Sequence, residues 1–120
     1  EHPLVDQVIW AGLPSSPWYE RAQKYLPKGP GAVVGFTLKD ADLEQTRTFV
    51  DALQLHSNVA NIGDVRSLVI HPASTTHSQL SEEELEAIGV SKNFVRLAVG
   101  IENIDDIIAD LELGFATLQQ

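Results

Sequence analysis

The chain contains no cysteine. Without thiols it has no disulfide, no thiolate metal ligand and no sulfur nucleophile, a composition that fits a reducing compartment. It contains no methionine either, so no initiator is in view, and the opening "EHPLV" carries neither a helix-start nor a strand-start signal. We read it as a segment of a longer polypeptide, the alternative being a small whole protein trimmed at its start. Positive charge is scarce. Lys and Arg number 8 against 17 Asp and Glu, a net charge of -9 that repels phosphate backbones and anionic membrane surfaces. Nucleic acid and membrane are therefore not expected as partners. No apolar run approaches the ~20 residues that span a bilayer, and no basic-then-apolar leader opens the sequence. The expected location is the cytoplasm.

What is there suffices for one globular domain over residues 1–120, with 43% hydrophobic and 21% charged residues. Residues 5–10 form a short apolar segment, and "GLPSSPW" reads as a loop whose prolines discourage helix on either side. Helix is expected over residues 18–25. After the break at "PKGPG", the alternation in "AVVGFTLK" predicts a strand with Val34, Phe36 and Leu38 on one face. Leu43, Thr46, Phe49, Val50 and Leu53 then recur at helical spacing, with Asp40 or Asp42 placed to cap. Two short strands are expected, around residues 59–62 and 67–70. In "QLSEEELEAIGV" the local chemistry specifies a helix, with a capping box from Ser81 to Glu84, a Leu80–Leu85 staple and a stop at Gly89. The last segment predicts a helix with Ile104, Ile107, Ile108, Leu111 and Phe115 on one stripe and Asp105 and Asp106 in its first turn. This order predicts an α+β domain, a small antiparallel or mixed sheet with helices packed on one face.

One residue breaks the pattern. In "NFVRLAVG" the neighbours of Arg96 suit a buried strand, yet Arg96 carries a charge. Alternation sends Val95, Leu97 and Val99 to one face and Phe94, Arg96 and Ala98 to the other. With the aliphatic residues under the helices, Arg96 points away from the core, where its planar fork suits a carboxylate. The competing reading is an ordinary exposed or inter-domain ion-pair arginine. Other constellations are weaker. His71 and His77, with Pro72 between them, have no third ligand at a sensible spacing, so no metal is expected. "SEEELE" lacks the spaced oxygens and central glycine of a calcium loop, and the serines near histidine lack a nucleophile elbow.

The segments "DVRSLVIHPASTTHSQLSEEELEAIGV" and "VRLAVGIENIDDIIADL", preceded by "WAGLPSSPWYERAQKYLPKGPGAVVGFTLK", resemble the C-terminal region of the PLP-dependent Cys/Met metabolism enzymes. The resemblance covers essentially the whole chain. "ANIGD" leading into "SLVIHPASTTHSQLS" is most similar to the O-acetylhomoserine sulfhydrylase branch of the family. The resemblance implies that Arg96 holds the α-carboxylate of the substrate amino acid. It places Asn61 where many members have a serine that helps hold that carboxylate, a departure that weakens any claim to lyase activity, although an amide still donates. It places Thr76 near the same pocket.

The resemblance further implies pyridoxal 5'-phosphate as cofactor, O-acetylhomoserine and sulfide as substrates, and a homotetramer. Binding PLP requires a lysine amine, a phosphate-binding group and an acidic partner for the pyridinium nitrogen. Lys24, Lys28, Lys39 and Lys92 all sit in polar contexts, and no glycine-rich phosphate loop appears. The expectation is a substrate-carboxylate-binding domain lacking the large PLP-binding domain, with no catalytic or cofactor residue of its own and no activity alone. The alternatives are the same domain of a cystathionine gamma-synthase or methionine gamma-lyase, and a non-catalytic binding or assembly module.

Overall fold

Alternation in "VVGFTL" builds the strand that organises the rest. In the computed structural model, which describes residues 2–29, 31–58, 66–74, 81–87 and 91–119, this strand is β2, Val33–Leu38, with Phe36 and Leu38 buried and Val34 half-buried on one face. It lies in a mixed five-stranded sheet of order β1-β2-β5-β4-β3. The others are β1 (Val5–Ile9), β3 (Ser57–Asn58), β4 (Leu68–Ile70) and β5 (Phe94–Ala98). Pairing is antiparallel for β1 with β2, β2 with β5 and β4 with β5, and parallel for β3 with β4. The sheet is thus the mixed α+β arrangement that the pattern predicts. The expected strand over residues 59–62 lies outside the described residues.

Four helices are described, α1 (Tyr19–Tyr25), α2 (Leu43–Asp51), α3 (Glu82–Ala87) and α4 (Ile104–Leu118), with a 3-10 turn at Pro72–Ser74. Of the two candidate caps, Asp42 starts α2. Its carboxylate accepts from the Gln45 amide at 2.8 Å while the Gln45 side chain accepts from the Asp42 amide at 2.9 Å, a reciprocal box. The same device starts α3, where Ser81 and Glu84 exchange bonds of 2.9 and 3.2 Å. Leu80 of the expected staple and the stop at Gly89 lie outside the described residues.

α2 and α4 cover one face of the sheet and enclose the core, in which Phe36, Leu38, Phe49, Val69, Val95, Leu97 and Phe115 are buried. Phe49 meets Phe36 and Phe115 edge to face, with ring centroids 6.0 and 5.0 Å apart. The stripe on α4 is narrower than expected. Ile107 and Phe115 are buried and Leu111 is partly so, but Ile104 and Ile108 are exposed. The reason lies in α2, which approaches so closely that a Cβ on Gly114 would stand 2.7 Å from the Phe49 ring. The line of closest approach therefore runs through Ile107, Asp110, Gly114 and Phe115, the buried residues of α4. Ile104 and Ile108 fall to the side of it.

Candidate functional site

Pairing register places Arg96 in the middle of a row that crosses the sheet on the face opposite α2 and α4. Reading across, the row is Ile9 of β1, Gly35 of β2, Arg96 of β5 and Ile70 of β4. Val95 and Leu97, on either side of Arg96 in sequence, are buried in the core, as alternation requires. Arg96 itself is half-buried. Among the described residues, no carboxylate or other group hydrogen-bonds or ion-pairs with it. A guanidinium partly withdrawn from water with no internal partner is able to receive an external anion, and its planar fork matches the geometry of a carboxylate.

Among the described residues, the neighbours of Arg96 in its own row carry no polar side chain. Ile70 is buried beside Arg96, and Leu68 and Ala98 are buried one row further along the same face. On the other flank Gly35 has no side chain, and the Phe94 ring reaches diagonally into its place, with Cζ 2.5 Å from where a Cβ would stand. Toward the β1 edge the face opens, with Ile9 and Val33 exposed.

β4 has three residues, and polar contacts pin both its ends against β5. At one end the Glu102 carboxylate accepts from the Ser67 amide at 2.8 and 3.0 Å and from its hydroxyl at 2.9 Å, while that hydroxyl accepts from the Gly100 amide at 2.9 Å. The Ser67 amide holds the Glu102 carboxyl below the usual carboxylate range. At the other end buried His71 places Nε2 2.6 Å from the Lys92 carbonyl, so Nε2 carries the hydrogen and donates it. Burial pushes the His71 pKa down, against the opposing effect of the Lys92 bond, and keeps the ring neutral. The two pins fix the register that puts Ile70 beside Arg96. His71 and Glu102, both inside the recognisable segments of the sequence, thus support the site from outside it.

A third polar cluster joins the helices to the sheet. Asp110 on α4 accepts from the backbone amides of Gln54, Leu55 and His56 at 2.7, 2.9 and 2.9 Å, and from His56 Nδ1 at 2.6 Å. Burial pushes its carboxyl pKa up, but these four bonds together outweigh burial and leave it below the ordinary range. Sequence reading missed this cluster, although an aspartate on the apolar side of a helix was a visible signal. It also missed Gly35 and Phe94, for which the one signal was a glycine inside a strand, a mark of close approach.

Arg96 is the sole sequence-derived site residue that the structure places. Asn61 and Thr76 lie outside the described residues, as does His77. Among the described residues, no group of three or more His, Asp or Glu converges to hold a metal, and no helix is long and apolar enough to cross a membrane. For PLP the fit within this chain fails. Lys24, Lys28, Lys39 and Lys92 are all exposed, so none is the desolvated amine that a cofactor aldehyde requires.

Residues 1–116 match the family model described as Cys/Met metabolism PLP-dependent enzyme. An O-acetyl-L-homoserine sulfhydrylase of Corynebacterium glutamicum is 56% identical over 117 residues, covering 98% of this chain and 26% of its own length. The chain spans about a quarter of the length of the curated relatives it matches. A Campylobacter jejuni structure provisionally identified as an O-acetylhomoserine (thiol)-lyase, with N'-pyridoxyl-lysine-5'-monophosphate at position 205, superposes with a TM-score of 0.85 at 44% identity, covering 97% of this chain and 27% of that one. A Lactobacillus plantarum cystathionine gamma-lyase in complex with L-serine gives a TM-score of 0.87 at 33% identity over 99% of this chain and 30% of that one.

Proposed function

Because the chain belongs to the Cys/Met metabolism PLP-dependent enzyme family, we propose that it is the substrate-carboxylate-binding part of an O-acetylhomoserine sulfhydrylase. The reaction replaces the acetate of O-acetylhomoserine by sulfide at the γ-carbon, giving homocysteine and acetate. The branch rests on relatives about half identical to this chain that carry that name, against 33% identity to the cystathionine gamma-lyase. The remainder of a longer polypeptide supplies PLP and the lysine that binds it, since no lysine here is suited to that task.

The observation that carries the reading is Arg96, half-buried on the open face without an internal partner. In this role its guanidinium donates two parallel hydrogen bonds to the α-carboxylate and fixes the orientation of the amino acid. The apolar neighbours limit competing water, which strengthens the charged bonds. Holding one reactant in a productive pose contributes several kcal/mol to the lowering of a barrier. Asn61 and Thr76 complete the proposed carboxylate pocket.

Arg96→Lys in the full-length polypeptide tests the reading, because lysine keeps the charge and loses the fork. Charged hydrogen bonds contribute ~1.5–3 kcal/mol each, so kcat/KM should fall by roughly one to several orders of magnitude. Thermal unfolding should stay near wild type, since the side chain leaves the core face. An unchanged kcat/KM would refute the carboxylate role.

A further inference from the structure

We propose that Phe94, seated in the place that Gly35 leaves open, is a positioning residue for Arg96. The inference rests on the carboxylate reading above and adds to it the element that aims the arginine. Along the row of Ile9, Gly35, Arg96 and Ile70, β2 contributes no side chain. Phe94 fills the place from one row away. Its Cζ and Cε2 atoms lie 2.5 and 2.6 Å from the point where a Cβ on Gly35 would stand, and Ile9 Cβ lies 3.8 Å from the same point. A diagonal reach of this kind across two strands is open to aromatic and long side chains. The ring therefore closes the flank of Arg96 on the β2 side, as buried Ile70 does on the β4 side.

This closure matters because arginine has many rotamers and Arg96 has no bonded partner among the described residues to select one. Ile70 and the Phe94 ring offer the guanidinium no acceptor on either flank, which favours the direction outward from the sheet. A fork already aimed outward loses less freedom when a carboxylate arrives. Gly35 is required for this arrangement. At 2.5 Å a Cβ and the ring cannot coexist, so any other residue there displaces Phe94 toward Arg96 or off the sheet.

The test uses the full-length polypeptide and two variants that disturb the ring differently, Phe94→Ala deleting it and Gly35→Ala displacing it. Each should raise KM for the amino-acid substrate by roughly ten- to a hundredfold, the scale of an ångström of misplacement, with kcat changing much less. Residues that act through one group are not additive. Phe94→Ala should therefore cost less than about twofold in an Arg96→Lys background, and Gly35→Ala should add less than about twofold to Phe94→Ala. Full penalties persisting in the Arg96→Lys background, with a lowered thermal midpoint, would mean that the ring serves packing alone and would overturn the inference. So would a KM raised by Arg96→Lys but untouched by Phe94→Ala. A wild-type KM for Arg96→Lys itself would remove the carboxylate reading and this inference together.

Discussion

Arg96 was legible in the sequence because it violates a pattern, a charge inside an apolar strand, and such violations concentrate at functional sites. Gly35 and Phe94 were not, because which residues face one another across strands is set by register, and register has no local signature. His71 shows how a supporting residue becomes testable at the scale of one side chain. Its pKa is lowered by burial, so the folded state holds the ring neutral while the unfolded chain takes a proton near the ordinary value of about 6.5. The stability from the neutral ring is therefore present above that pH and declines as pH falls from it toward the lower folded-state pKa. Asp110 and Glu102 are also held low, so their contributions persist above the ordinary carboxylate range and are lost at still lower pH. Acidification should thus destabilise the protein in two stages. Urea unfolding at a series of pH values should show both, and His71→Gln should lose the first while keeping the second.

Among elements, the helix starts were the most readable features, because a capping box is complete within four residues and needs no tertiary partner. The buried stripe of α4 was less so. Ile104 and Ile108 fit the helical period but are exposed, because a second helix selects which line of residues it touches. What settles the docking of α4 is polar as well as apolar. Asp110 gathers three successive amides from the end of the α2 segment and the His56 ring onto one nearly buried carboxylate. Asp110→Ala should leave those donors without an acceptor and lower unfolding stability by about 1–3 kcal/mol or more, the usual cost of leaving buried donors unsatisfied. Denaturant titration measures this. A loss below about 1 kcal/mol would mean that water satisfies the amides equally well.

For the whole molecule, the α+β class followed from alternation and helical period together, whereas the strand order did not. Four exposed lysines make one prediction at this scale. Mixed with PLP, the isolated chain should show the absorbance of free cofactor and no turnover of O-acetylhomoserine; a stable lysine-bound band with turnover would contradict the division of labour proposed here. Strand order has a separate consequence for biosynthesis. β5 is made after the other four described strands, yet it sits between β2 and β4. Until the ribosome delivers it, roughly three to twelve seconds after β2 at ordinary elongation rates, the inner edges of both neighbours lack their partner. An open edge reading "VVGFTL" is a hazard for pairing between nascent chains, and Lys39 and Asp40 stand directly after it as charged gatekeepers. The strand that ends this exposure is the one that carries Arg96, so a newly made chain brings its proposed carboxylate-binding arginine into place in the same event that seals its sheet.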